Sequence, residues 1–275
     1  MNWFDFPIVH FLNSFVHRSW AADALFVEMS GNTLLRAGAL MAVYWWAWFN
    51  PGKETGEKRE ILTLTLFNSV LAVLVARALA AGLPFRERPL RNPLLHLQLA
   101  YTLKPDTLLH WSSFPSDNAV LCFCVAAGLW MVSRRLGALA IGYAALISFD
   151  RVFLGIHYPT DVLGGALLGL GIAYLCKVAR LRSAARALLE YVDRAPGYFY
   201  GFLFVWTCEL AEMFGSLLKT AKLLLQIALK LPRVRIEELV GSGLLVGLLG
   251  VVTWLIWRKS HSMTEPAGRA VAHHA

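Results

Sequence analysis

Apolar runs of helical length, separated by short polar connections, dominate the chain. Runs at 33–50, 61–82, 118–133, 136–154 and 161–178 are almost free of charge and near the length a helix needs to cross a bilayer. A further run, 239–257, carries Gly241, Gly243, Gly247 and Gly250 at spacings that favour close helix contact. The pattern predicts an all-α, polytopic transmembrane bundle of about six spans. Residues 3–29 mix His10, Asn13, His17, Arg18, Asp23 and Glu28 with hydrophobes, which predicts amphipathic helix lying at the membrane surface. Residues 198–231 are helical in pattern but interrupted by Glu209, Glu212, Lys219, Lys222 and Lys230, as in an interfacial hairpin or a polar-faced span. The expected division is an interfacial segment 1–32, a core 33–186, an extension 187–259 containing the last span, and a disordered tail 260–275.

Composition supports the membrane reading. Apolar residues make up 57% of the 275 and charged residues 16%, against roughly 25% charged in soluble domains. Trp45, Trp46, Trp48, Trp254 and Trp257 sit at the ends of apolar runs, where an interfacial aromatic belt is expected. The net charge of +8 points to cytoplasmic anchoring and attraction to anionic lipid or phosphate. Nucleic acid is not an expected partner, because the basic residues lie in short loops rather than along one soluble face. Lys53, Lys58 and Arg59, then Arg134 and Arg135, then Lys177, Arg180, Arg182 and Arg186 all fall on one side after five crossings. The positive-inside rule makes that side cytoplasmic. The first residues lack a basic n-region, so no cleavable signal peptide is expected. Cys122, Cys124, Cys176 and Cys208 lie in apolar stretches and read as small core hydrophobes, without a disulfide or a metal framework.

The opposite face carries the candidate chemistry. It receives the proline-rich connection 83–117, long enough to be functional, and the turn at 155–160. Around that turn, Arg151, His157 and Asp161 stand at intervals of six and four at the seam between two apolar runs. Ionisable groups there are costly unless offset, which makes them a functional-site candidate. The chemistry suggested is attack on phosphate: Arg151 holds the anion, His157 attacks or shuttles a proton, and Asp161 orients the ring. Taken alone, the stretch also fits an interfacial Arg–Asp pair with an incidental His. Two more groups lie on the same predicted face, Leu83-Pro84-Phe85-Arg86-Glu87-Arg88-Pro89 and Ser112-Ser113-Phe114-Pro115-Ser116-Asp117-Asn118. In the second, Ser116 and the amides of a helix N-terminus form a natural anion cradle, although simple N-capping has the same signature.

Together these groups resemble the type 2 phosphatidic acid phosphatase family, which shares its site with vanadate haloperoxidases. The family motifs are Lys-x6-Arg-Pro, Pro-Ser-Gly-His and Ser-Arg-x5-His-x3-Asp. They correspond here to Arg88-Pro89, to Pro115-Ser116-Asp117-Asn118, and to Asp150-Arg151 through His157 to Asp161. The resemblance covers roughly residues 60–180. It implies that Arg88 and Arg151 hold phosphoryl oxygens with Ser116 and the Asp117 amide, and that His157 is the nucleophile of a phospho-histidine intermediate. Asp161 would fix its tautomer and stabilise the charged ring. No metal or cofactor is implied. The expected partners are a lipid phosphate or diphosphate and membrane lipids. The expected location is a bacterial inner membrane, with the site facing away from the cytoplasm.

Three departures stand out. The motif Lys falls at Ala81, and Arg86 is the preferred replacement, ahead of Arg77, whose side chain leans back along its helix. Asp150 replaces a Ser beside Arg151. Asn118 replaces the His that acts as general acid in the family, and an amide cannot take that role. A variant made to trap a complex, a non-catalytic lipid-phosphate binder, and a substrate whose leaving group needs no acid are all compatible with Asn118. The last favours a lipid diphosphate such as polyprenyl diphosphate, because a leaving phosphate monoester has a second pKa of about 6. A phosphotransferase with an acceptor hydroxyl in place of water is the close alternative.

Overall fold

The structure, a computed structural model, describes residues 3–50, 55–104, 111–192 and 196–221. The run 239–257 and the tail 260–275 lie outside the described residues. The described residues form the α-helices α1 (Asp5–Asn13), α2 (Trp20–Gly31), α3 (Ala39–Phe49), α4 (Thr55–Gly82), α5 (Asp117–Val132), α6 (Arg134–Phe153), α7 (Pro159–Ala173), α8 (Ala179–Val192) and α9 (Pro196–Ala211), with a further helical stretch at Gly215–Ala221.

The structure is an all-α membrane bundle, and five of the six expected spans fall among the described residues. Among those residues three helical segments are long and apolar enough to cross a bilayer: α4, α6, and α7 with its terminal turn to Lys177. A fourth is counted if α9 and Gly215–Ala221, bent by 96°, act as one span. The run at 33–50 is helical only from Leu34 to Phe49, beginning as a π-turn at Leu34–Gly38. The run at 118–133 becomes α5, whose 16 residues reach only about 24 Å. Ten of those residues are buried, and α5 packs against α4, α6 and α7. A helix apolar on every side is the signature of a bundle centre as much as of a lipid-facing span.

Glycine sets how closely this centre packs. A Cβ at Gly165 would stand 2.5 Å from the Ser116 carbonyl oxygen, and one at Gly169 would stand 2.3 Å from that of Val120. The α7 backbone therefore lies directly on α5 along a small-xxx-small face. Gly164, against the Phe114 ring, extends this close packing by one more residue of α7.

The N-terminal segment departs from the expected surface helix. Asp5, Asn13, Asp23 and Ser30 are buried, while Trp3, Phe6, Phe11, Phe15, Trp20 and Leu25 are exposed. Each inward polar group meets a specific partner, which makes its burial tolerable. The Asn13 amide donates to the Gln98 carbonyl at 2.9 Å and accepts from the Gln98 N–H at 2.8 Å. Asp23 Oδ2 accepts from the N–H groups of His17 (3.1 Å) and Tyr101 (3.2 Å). α1 and α2 thus grip the connection leading to the site.

Of the five tryptophans expected in a membrane belt, Trp254 and Trp257 lie outside the described residues, and two of the other three serve a helix interface instead. Trp45 Nε1 donates to Thr207 Oγ1 (3.1 Å) and Trp48 Nε1 donates to the Tyr200 hydroxyl (3.3 Å), joining α3 to α9, whereas Trp46 is exposed. Cys122, Cys124 and Cys176 are buried free thiols, and Cys208 is exposed rather than in a core. At the end of the bundle away from the α6–α7 turn, Arg182 and Arg186 pair with the buried Glu60 at 3.2 and 2.7 Å.

Substituting Gly169→Ala should lower the melting temperature of the detergent-solubilised protein, through overpacking worth about 1–3 kcal/mol. Gly171→Ala, whose methyl would meet nothing within 4 Å, should leave it unchanged or raise it slightly.

Candidate active site

The site is assembled where α4 and α6 end and α5 and α7 begin. After α6 the chain turns at Gly155, whose φ of +68° lies in the left-handed region open to glycine. The N–H groups of Ile156 and His157 both donate to the Arg151 carbonyl, at 3.0 and 3.1 Å. The turn is closed from outside by Leu90 N–H on the Gly155 carbonyl (2.8 Å). This places the His157 ring, 1% exposed, beneath the 83–116 connection. Pro159 then opens α7, and Asp161 in its first turn accepts the Tyr158 N–H through Oδ2 at 2.8 Å.

The partners of His157 define its tautomer. Nδ1 lies 2.8 Å from the Ser113 carbonyl oxygen, which can only accept, so Nδ1 carries the proton. Nε2 lies 3.1 Å from Arg88 Nη1, which can only donate, so Nε2 presents its lone pair. Burial pushes the imidazole below its ordinary 6.5, against the opposing pull of Asp161, and the neutral ring is the form both contacts require. Asp161 Oδ2 is 3.6 Å from Nδ1, near enough to favour positive charge on the ring but farther than the Ser113 carbonyl. The acceptor that orients the ring is therefore a backbone carbonyl, with Asp161 acting on it electrostatically.

Arg88 is fixed by backbone carbonyls. Its Nη1 donates to Ile156 (2.8 Å), Nε to Trp111 (3.2 Å) and Nη2 to Ser112 (3.3 Å). Burial lowers its pKa to about 10, which still leaves it cationic at neutral pH. Arg151 is 4% exposed; Nη1 donates to Ser30 Oγ at 2.7 Å, and its buried Nε has no hydrogen-bond partner. Ser116 Oγ and Asn118 Oδ1 are likewise buried without a partner. The Ser116 N–H donates to the Asp161 carbonyl (3.1 Å), which ties the start of α5 to that of α7. Asp117 lies within electrostatic reach of His157, Arg151, Arg88 and Arg77, so residues from all three motifs meet in one place. Its carboxylate accepts from the Asn118 side chain (3.2 Å) and main chain (2.9 Å).

Arg86 departs from expectation. It was the preferred replacement for the motif Lys, yet its guanidinium is engaged by protein groups rather than presented to an anion. Nη1 donates to Asp161 Oδ1 (2.5 Å) and Thr160 Oγ1 (2.9 Å), Nη2 donates to Asp5 Oδ2 (2.8 Å), and Cζ stacks 4.2 Å over the Tyr158 ring. Arg77 donates to the Met213 carbonyl at 2.7 Å, and its buried Nε has no partner. Sequence reasoning missed the Ser113 carbonyl, Ser30 and Asp5. A backbone acceptor carries no residue signature, and the other two lie 81 or more residues from the atoms they hold.

The PAP2 superfamily profile matches residues 64–184, a span that contains Arg88, Ser116, Arg151, His157 and Asp161. The undecaprenyl-diphosphatase BcrC of Bacillus subtilis is 25% identical over 175 residues, covering 64% of this chain and 82% of that protein. The undecaprenyl-diphosphatase of Sulfolobus acidocaldarius is 34% identical over 85 residues, which cover 30% of this chain and 40% of that protein. The putative undecaprenyl-diphosphatase YbjG of Escherichia coli is 42% identical over 60 residues, covering 21% of this chain and 30% of that protein. Among solved structures, LpxE of Aquifex aeolicus aligns at 21% identity and a TM-score of 0.44, covering 62% of this chain and 93% of that one. Residues 64–184, which carry all three motif groups, thus match a PAP2 superfamily domain.

Proposed function

We propose that the protein is an integral membrane lipid phosphatase acting on a lipid diphosphate of the polyprenyl type, through a phospho-histidine intermediate. The observation that carries the reading is the Nε2 lone pair of His157, 3.1 Å from the Arg88 guanidinium and backed by the Ser113 carbonyl. A terminal phosphoryl group held by Arg88, Arg151 Nε and Ser116 would present its phosphorus to that lone pair. Phosphoryl transfer depends mainly on such positioning and on neutralising dispersed negative charge. Nε2 bonds to phosphorus, the P–O bond to the lipid monophosphate breaks, and the monophosphate leaves with the electron pair. Water then cleaves the N–P bond, releasing inorganic phosphate and restoring the imidazole. Asp161, 3.6 Å from Nδ1, stabilises the ring while it is positive.

Asn118 selects among substrates in this scheme. A departing lipid monophosphate needs little protonation, whereas a departing alkoxide needs an acid that Asn118 cannot supply. The names of the Bacillus and Sulfolobus relatives, both undecaprenyl-diphosphatases, support a diphosphate. The site lies at the end of the bundle opposite the Glu60–Arg182–Arg186 cluster. The positive-inside rule then has it face the extracytoplasmic side of a bacterial inner membrane.

Phosphate release from vesicles of a polyprenyl diphosphate and of a lipid monophosphate tests this reading. The protein should hydrolyse the diphosphate, His157→Ala should abolish turnover, and full activity in that variant would sink the mechanism. Asn118→His should raise monophosphate turnover by about 10²-fold or more while changing diphosphate turnover much less. If the unmodified chain is inert on both and Asn118→His is active, the protein is a lipid-phosphate binder.

The attacking form of His157 is neutral, so kcat/KM should fall as pH drops through its pKa. Because burial lowers that pKa, the acidic limb should have its midpoint below 6.5, read from a pH profile on the diphosphate.

A further inference from the structure

Outside the matched domain, Asp5 at the start of α1 reaches the catalytic turn. It is 2% exposed, and its carboxylate accepts from Arg86 Nη2 at 2.8 Å, Thr160 N–H at 2.9 Å and Thr160 Oγ1 at 2.6 Å. The other arm of Arg86 rests on Asp161 Oδ1 at 2.5 Å, and Asp161 Oδ2 stands 3.6 Å from His157 Nδ1. A continuous carboxylate–guanidinium–carboxylate chain thus runs from residue 5 to the imidazole. Arg86 touches both carboxylates through separate nitrogens, so its charge is divided between them.

We infer that Asp5 is a positioning residue for catalysis: by sharing the Arg86 charge, it leaves Asp161 enough negative character to stabilise the positive ring of His157. This rests on the phospho-histidine reading above. The charges around the ring are Asp161 from α7, Arg88 from the connection, Arg151 from α6 and Asp117 from α5. Asp117 is balanced by Arg77, and Asp161 by Arg86 and through it Asp5. The chain Asp5–Arg86–Asp161 sums to one negative charge. Asp5→Asn brings it to zero, which disfavours the charged ring in both its protonated and its phosphorylated form. Arg86→Gln brings it to two negative charges and favours the charged ring.

The test is the pH profile of kcat/KM and the value of kcat on a polyprenyl diphosphate for Asp5→Asn, Asp5→Glu, Arg86→Gln and the double variant Asp5→Asn/Arg86→Gln. Melting temperatures are measured alongside. Asp5→Asn should lower kcat by about tenfold with KM changed much less, and should move the acidic limb to lower pH. Asp5→Glu should recover most of the rate. Arg86→Gln should move the limb to higher pH, and the double variant should return it toward the unmodified protein. Opposite shifts from the two single variants are beyond a merely structural role, which would lower activity in both without displacing the limb. An unmoved limb, or limbs moving the same way, overturns the inference. If His157→Ala retains turnover, the catalytic reading itself has failed; if it is inactive while Asp5→Asn leaves kcat and limb unchanged, only the role of Asp5 has.

Discussion

A buried imidazole placed between a group that can only accept and a group that can only donate is the constraint on which the rest of this site depends. The Ser113 carbonyl takes the Nδ1 proton, and the Arg88 guanidinium faces Nε2. One tautomer satisfies both, and burial favours the ring in that neutral state. Arg88 can serve this purpose because the carbonyls of Trp111, Ser112 and Ile156 fix its plane before any substrate arrives. A guanidinium oriented in advance loses little conformational freedom when an anion binds.

That geometry depends in turn on how closely two helices approach. The residues of the second motif open α5, and those of the third end α6 and open α7. The Ser116 N–H meets the Asp161 carbonyl because Gly165 and Gly169 let the α7 backbone lie on α5. Gly155 performs the equivalent task in the turn, where a left-handed residue lets His157 fold back under Arg151. The glycines near the motifs thus set the distances over which the motif residues act.

The N-terminal helices show how polar residues in a membrane protein are read differently by pattern and by structure. Polar residues spread through 3–29, Asn13 and Asp23 among them, suggested a helix lying in the interface, and Asp5 and Ser30 belong to the same N-terminal segment. In the fold these four face inward, each on a defined donor or acceptor, while the aromatic residues face outward. In lipid this inversion is the favourable arrangement, because the surroundings are apolar and the polar partners are inside. A similar reversal moved Trp45 and Trp48 from an expected belt to the α3–α9 interface.

Periodicity and motif spacing in the sequence were enough to determine an all-α membrane protein and to single out Arg88, Ser116, Arg151, His157 and Asp161, which the fold brings to one end of the bundle. These features are local: an apolar run or a six-and-four spacing can be read from one stretch of chain. The span count was not legible, because burial within the bundle and exposure to lipid select the same apolar residues, as α5 shows. Nor was the partner of Arg86, since a cation next to a phosphate motif looks the same whether it meets an anion or a carboxylate from residue 5. The acceptor for His157 Nδ1 was hidden for another reason: every residue has a backbone carbonyl, and only the fold decides which one stands at 2.8 Å. Chemistry that resides in side-chain identity was written in the sequence. Chemistry that resides in who meets whom between distant stretches of chain was decided by the tertiary structure, since those contacts exist only once the helices have packed.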